Sequence, residues 1–189
     1  MAAIQAIITD FDGTLVNTFL ANFFAYRKAF EALSLDLSEE LYSRCFGLRF
    51  DDFMAEADIT DSSKRQIIRE KKSFYYPSFF YLLKPNKALI ELIEKSHGQG
   101  IKTAIASTAR RINLMNALSY LQINDLFDLV ITGNEVSSGK PNPEIYVKAM
   151  KELQVQPENT LIFEDSEVGL MAAKNSHANY VHISPIFFN

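Results

Sequence analysis

A single cysteine, Cys45, in 189 residues leaves the chain without an internal disulfide. No CxxC or Cys/His cluster marks a zinc site, so Cys45 reads as a buried apolar residue. No apolar run approaches the ~18 residues of a membrane-crossing helix. Residues 1–8 carry neither the basic stretch nor the long apolar stretch of a secretory signal, and the expectation is a cytoplasmic protein with no membrane partner. Positive charge is not in excess either. With 19 Lys+Arg against 23 Asp+Glu, a net charge of −4 and a pI near 5.4, the chain offers no basic footprint for a nucleic-acid backbone. Gly98-Gln99-Gly100 follows a helical stripe rather than a strand, so it is a helix stop and not a dinucleotide loop. Gly139-Lys140-Pro141 lacks the glycine spacing and the following Ser/Thr of a P-loop. His97, His177 and His182 are scattered, so no hydrolase triad is suggested, and there are no repeats or flexible Gly/Ser linkers.

What is present suits one soluble α/β core with a small insertion: 48% hydrophobic, 22% charged and a mean hydropathy of −0.04. Residues 3–8 form a nearly continuous apolar run, interrupted at Gln5, that ends in Asp10, Asp12 and Gly13. Such a run reads as a strand buried on both faces. Similar runs lie at 102–106, 129–132, 160–163 and 180–183. Between them are helical stripes: Leu89, Leu92 and Ile93; Leu114, Met115, Leu118 and Leu121; and, after Pro143, Ile145, Ala149, Met150 and Leu153. Strands alternating with helices predict a parallel sheet with helices on both faces.

The alternation stops between about Asn17 and Lys84, where stripes such as Phe19, Phe23, Tyr26 and Phe30 predict a helical insertion. It holds 15 of the 23 aromatics (15 Phe plus 8 Tyr), enough for a small core of its own. Lys84-Pro85-Asn86 and the loop near Asn17 are the expected hinges.

Four strand ends carry reactive groups. Asp10 and Asp12 are two apart, so in strand geometry both carboxylates project beyond the carboxyl edge of the sheet, where open α/β folds place ligands. Their repulsion is relieved by a shared proton or by a cation, which points to acid/base work or a metal site; solvated loop acids with Gly13 making the turn are the plain alternative. Ser107-Thr108 precede the helix beginning near Arg110, where hydroxyls and free N–H groups suit an anion, although Ser107 alone suits an ordinary N-cap. Lys140 sits in a tight loop and can neutralise a phosphate oxygen, or be a surface lysine. Glu164-Asp165 follow an apolar run and can complete a hard-cation shell, or favour a helix N-terminus. All four fall on the one edge where they can converge.

Asp10-Phe11-Asp12-Gly13-Thr14-Leu15-Val16, the strand ending in Ser107, Gly139-Lys140-Pro141 and Glu164-Asp165-Ser166-Glu167-Val168-Gly169 resemble, in order, the four motifs of the haloacid dehalogenase-like hydrolase superfamily. The resemblance spans nearly the whole chain. It implies a Rossmann-like core of residues 1–16 and 85–189, and a small α-helical cap of residues 17–84, as in phosphoglycolate phosphatases and β-phosphoglucomutases.

The resemblance also implies roles. Asp10 would be the nucleophile that takes the phosphoryl group as an aspartyl-phosphate; Asp12 would protonate the leaving oxygen and then activate water. Ser107 and Lys140 would hold the transferring phosphate, helped by the Thr108 and Ala109 amides. Magnesium would be bound by the Asp10 side chain, the Asp12 carbonyl and Asp165, with Glu164 as a ligand or its neighbour. The second aspartate favours phosphoryl transfer over carbon–halogen cleavage. The implied activity is hydrolysis of a small phosphorylated metabolite, a sugar phosphate or phosphoglycolate. The alternatives are a phosphosugar mutase and a catalytically weak binding protein.

The chain departs from the family pattern at Asn17 and Asn22, neutral where ionisable groups are common, and Asn22 in place of a hinge histidine argues against a mutase. Phe46-Gly47-Leu48-Arg49-Phe50 resembles the substrate-specificity loop, so Arg49 and Asn22 are expected at the substrate, Arg49 on a carboxylate or second phosphate or else in solvent. The glycine common before the last strand is absent from Ser176-His177-Ala178-Asn179-Tyr180. Phe187 and Phe188 are expected to cover a sheet edge or to favour dimerisation, leaving a monomer or a homodimer.

Overall fold

The structure is a computed structural model describing residues 3–188. Five parallel strands form one sheet in the order β5-β4-β1-β6-β7: β1 (Ala6–Thr9), β4 (Lys102–Ser107), β5 (Leu129–Thr132), β6 (Thr160–Glu164) and β7 (Asn179–His182). Every expected strand is present. β1 starts three residues later than its apolar run; just ahead of it the Gln5 amide donates to the Asn159 carbonyl and the Gln5 carbonyl accepts from the Lys102 amide. β1 is central and buried along its whole length, as a strand covered on both faces must be.

Alternation of side chains sends Ile7 and Ile105 to one face and Ile8, Ala104, Ala106 and Ile162 to the other, and each face builds its own core. On the first pack α5 (Lys87–Gly98) and α6 (Arg111–Leu121) through Leu89, Ile93, Leu114 and Leu118. On the second pack α7 (Glu144–Leu153) and α8 (Glu167–Asn175) through Ile145, Tyr146, Ala149, Met150 and Ala172. One residue of the stripes is misplaced by sequence: Leu92 is 44% exposed, since Leu89 and Ile93 alone already face the sheet. Another is missed: Tyr146, next to Ile145, is fully buried.

Between β1 and α5 the chain makes a two-stranded antiparallel ribbon from β2 (Val16–Asn17) and β3 (Lys84–Pro85), with Asn17 opposite Lys84. Four helices emerge from it: α1 (Phe19–Glu31), α2 (Glu39–Cys45), α3 (Phe50–Glu56) and α4 (Ser62–Tyr75), followed by a 3-10 segment, Tyr76–Leu82. Phe23, Phe30, Tyr42, Cys45, Phe53 and Ile68 pack a separate apolar cluster there. Ring pairs such as Tyr26 on Phe53, edge to face at 5.0 Å, add the directional part of that packing. Asn86 secures the ribbon: it is 1% exposed, donates to the Thr14 carbonyl at 3.3 Å and caps α5 by accepting from the Leu89 amide.

No described helix is long and apolar enough to cross a membrane. β7 is one of the two sheet edges, with Tyr180 and Val181 exposed; Phe187 is half exposed.

Candidate active site

The carboxyl ends of β1, β4 and β6 and the loop after β5 meet at one point, because parallel strands deliver their ends to the same edge. The Lys140 ammonium lies 2.6 Å from Asp10 and 2.6 Å from Glu164, and all three side chains are more than nine-tenths buried. Tyr146, reaching up from α7, donates its hydroxyl to the same Glu164 oxygen that faces Lys140. The other Glu164 oxygen accepts from the Ser166 hydroxyl at 3.0 Å and, at 3.3 Å, from the Asp165 and Ser166 amides. Glu164 is thus pinned on every side. Gly169 permits this arrangement: a Cβ there would land inside the Glu164 carboxylate.

Burial opposes ionisation of Glu164, but the Lys140 charge and the hydrogen bonds from Lys140 and Tyr146 outweigh it and hold the carboxyl below its ordinary range. For Asp10 the balance goes the other way. Burial pushes it well up, Lys140 pulls it back, and the charges of Glu164, Asp165 and Asp12 push it up again. Asp165 is pushed up to about 6, chiefly by burial, against the Thr14 hydroxyl, which donates to it at 2.6 Å. Lys140 is held well above its ordinary value: desolvation lowers it, and Asp10 and Glu164 more than reverse that.

One pocket is lined by Asp10, Asp12, Lys140, Glu164, Asp165 and Ser166, together with Phe46 and Gly47 from the helical insert. Four acidic residues and a single lysine line it. Oxygens of Asp10, Glu164 and Asp165 lie within 4.8 Å of one another and form a donor set of hard oxygens. That set, with its excess negative charge, fits a divalent cation that prefers oxygen ligands.

Asp12 points elsewhere. One of its oxygens accepts from the Thr18 hydroxyl and, at 3.1 Å, from the Asn22 amide; the other lies 3.5 Å from the Ser107 hydroxyl. Its partners are therefore all neutral. The Ser107 hydroxyl, fully buried, accepts the Ala109 amide at 3.1 Å, while Thr108 lines the pocket. Sequence patterning gives roles to Asn22 and Ser107 but none to Thr18, Thr14 or Tyr146. Thr14 lies within the first motif and Thr18 just beyond it, and their hydroxyls are the available signal; Tyr146 reads as one more core residue of α7.

A second cavity opens from Asp12 into the helical insert, lined by Asn22, Tyr26, Tyr42, Phe50, Lys72 and Asn113 among others. Lys72 is 6% exposed and makes no ion pair among the described residues; its ammonium sits 3.8 Å from the centre of the Tyr76 ring. Burial pushes it down to about 7. The side-chain amide oxygen of Asn113 is buried without a hydrogen-bond partner. Sequence reasoning missed both: Lys72 stands in the charged run Arg69-Glu70-Lys71-Lys72 of α4 and Asn113 beside the apolar stripe of α6, and nothing in either stretch marks the buried polar group. Arg49, expected at the substrate, lines neither cavity: its guanidinium donates at 3.1 Å to the Gly133 carbonyl of the core.

A parallel sheet whose carboxyl edge gathers paired aspartates, a buried lysine and an acidic pair has the arrangement expected of a hydrolase with an α/β fold. A family model described as haloacid dehalogenase-like hydrolase matches residues 7–183, and the chain belongs to that family. The chain is 34% identical over 179 residues to a phosphorylated carbohydrates phosphatase of Thermotoga maritima, covering 91% of this chain and 81% of that protein. It is 26% identical to a β-phosphoglucomutase of Bacillus subtilis, covering 91% and 80%. Among solved structures, CbbY from Rhodobacter sphaeroides in complex with phosphate superposes with a TM-score of 0.83 at 27% identity, covering 94% of this chain and 84% of that one. By family and by relatives the protein is a phosphatase.

Proposed function

We propose that the protein is a magnesium-dependent phosphatase of small phosphomonoesters, and that it works through an aspartyl-phosphate on Asp10. The observation that carries this reading is Lys140, held 2.6 Å from Asp10 at the pocket floor, where it neutralises both the nucleophile's neighbourhood and an incoming phosphate oxygen. The Asp10 oxygen attacks phosphorus; the bond from phosphorus to the ester oxygen breaks, and Asp12 gives that oxygen its proton. Asp12 then takes a proton from water, which attacks the acyl phosphate and frees Asp10 and phosphate. Ser107 and Thr108 hold the phosphoryl oxygens, with the Ala109 amide fixing the Ser107 hydroxyl. Asn22 and Thr18 aim Asp12 without adding charge.

Asp10, Asp165, Glu164 and the Asp12 carbonyl are the groups proposed to hold the magnesium, which when bound supplies positive charge to the phosphoryl oxygens. Residues 17–84 act as the cap, with residues 1–16 and 85–189 as the core. In the cap-side cavity the Lys72 ammonium donates, while the unpaired Asn113 oxygen accepts, a combination that matches hydroxyls on the leaving group. The Asn113 acceptor favours a sugar hydroxyl, whereas the Lys72 ammonium serves a hydroxyl or the carboxylate of phosphoglycolate. The mutase alternative is less suited, since Asn22 cannot carry a proton beside Asp12. The single free Cys45 suits a reducing compartment, the cytoplasm.

The test is phosphate release from a panel of sugar phosphates and phosphoglycolate, with magnesium or with a chelator, for the natural chain and Asp10→Asn. Release that requires both magnesium and Asp10 is expected. Isomerisation of a sugar phosphate without phosphate release would move the protein to the mutases, and full activity of Asp10→Asn would remove the aspartyl-phosphate.

A further inference from the structure

We propose that Arg49 and Glu144 form an ion pair transmitted through two peptide groups, and that this latch holds the loop of residues 46–49 closed over the phosphoryl pocket. Arg49, ahead of α3, donates to the Gly133 carbonyl at 3.1 Å and, at 3.5 Å each, to the carbonyls of Val136 and Ser137. Glu144, at the start of α7, accepts from the Ser137 amide at 2.8 Å and the Ser138 amide at 2.7 Å.

The Val136 carbonyl and the Ser137 amide belong to one peptide plane, and the Ser137 carbonyl and the Ser138 amide to the next. Each plane thus presents its N–H to the carboxylate and its C=O to the guanidinium. Both peptide dipoles are aligned between two opposite charges, so each bond strengthens the other. Glu144 is held below the ordinary carboxylate range by those two amides and, further off, by the Arg49 charge. The planar fork of arginine spreads its donors over two nitrogens that reach three carbonyls, a span that a compact ammonium covers less well. The aliphatic part of Arg49 passes directly over Gly139, where a Cβ would land on its Cδ.

What the latch holds matters for the chemistry. Phe46 and Gly47 roof the pocket that contains Asp10, Asp12 and Lys140, and Arg49 is the third residue along from Phe46 in that same loop. The loop it grips on the core side leads, one residue after Ser138 and Gly139, into Lys140. Closing the roof excludes water before the phosphoryl group transfers. Arg49 and Glu144 are therefore positioning residues: neither touches the phosphoryl group. A ligand for a second substrate anion would act only on substrates that carry one, whereas a latch acts on all of them.

The experiment is hydrogen–deuterium exchange on the full chain and on Arg49→Ala, Arg49→Lys, Glu144→Gln and the double variant Arg49→Ala with Glu144→Gln. Exchange of amides 46–50 should rise by about tenfold in Arg49→Ala, less in Arg49→Lys, and no further in the double variant than in Arg49→Ala. Protection of β1 and β4 should not change, which shows that each variant is folded. The kinetic arm, which rests on the phosphatase reading, compares p-nitrophenyl phosphate with fructose 1,6-bisphosphate. Arg49→Ala should lower kcat/KM for both by factors agreeing within about threefold. Unchanged exchange at 46–50, additive effects in the double variant, or a loss confined to the bisphosphate would each overturn the latch. The exchange result stands by itself if neither ester is turned over.

Discussion

Asn22 donates its side-chain amide to Asp12 at 3.1 Å from the first turn of the helical insert, so the carboxylate proposed as acid/base is oriented by a residue outside the five-stranded sheet and its helices. Asn22 also donates to the Thr18 hydroxyl at 3.0 Å, which fixes both donors on the same Asp12 oxygen. Asn22→Ala should leave binding nearly intact and lower kcat by roughly tenfold, a fraction of what general acid/base catalysis contributes. Steady-state rates across a substrate series check this; a rise in KM with kcat unchanged would instead make Asn22 a substrate ligand.

Gly169→Ala tests the packing beneath the site. The new methyl would occupy the space of the Glu164 carboxylate, and Glu164 could not keep Lys140, Tyr146 and Ser166 together. Overpacking of this kind costs about 1–3 kcal/mol. Turnover should fall more steeply than stability, as read from parallel urea melts and rate assays.

Lys72 carries a pH signature. Its value in the folded chain is pushed down to about 7, from 10.5, mainly by burial. Between those values the unfolded chain holds a proton that the folded chain has lost, so this group makes stability rise with pH from about 7 toward 10.5. Below pH 7 the ammonium is charged in both states and its full burial cost is present. Lys72→Met should therefore raise the melting temperature most at pH 6 to 7, with the gain shrinking at higher pH. An equal gain at every pH would mean that Lys72 is not titrating.

Asp165 gives the opposite sign. Its folded value is up at about 6, against 3.8, so the folded chain holds the extra proton and rising pH over that interval lowers stability. A divalent cation competes with that proton. Magnesium should therefore stabilise the protein more at pH 7.5 than at pH 4.5, and Asp165→Asn should remove most of the difference in calorimetric scans. A chelator should abolish phosphate release at either pH.

Much of this was legible in the sequence, and for a physical reason. A strand buried on both faces has to be written as an unbroken apolar run, and the polar residues that end it have to lie at the sheet's edge; the ends of β1, β4 and β6 therefore announced Asp10, Ser107 and Glu164. Side chains that serve those groups from a distance carried no such mark. Tyr146 occupies a core position on α7 and differs from its neighbours only in its hydroxyl, and Lys72 stands in a run of charges whose exposed members hide the buried one. Arg49 shows the limit from the other side. Its place in a stretch that resembles the family's substrate-specificity loop makes it a candidate ligand, but direction is not in the sequence, and its guanidinium turns to the Gly133 carbonyl.

The ribbon of β2 and β3 has a further consequence. Because Asn17 and Lys84 are paired across it, the chain leaves the sheet domain and returns to it through the same narrow doorway. Everything between is an insertion whose two ends are already joined by backbone hydrogen bonds, so it behaves as an exchangeable cassette. A relative's helices spliced in at these two positions would bring their own choice of leaving group, and would keep the phosphoryl chemistry only if they also supplied donors to Asp12 in place of Thr18 and Asn22.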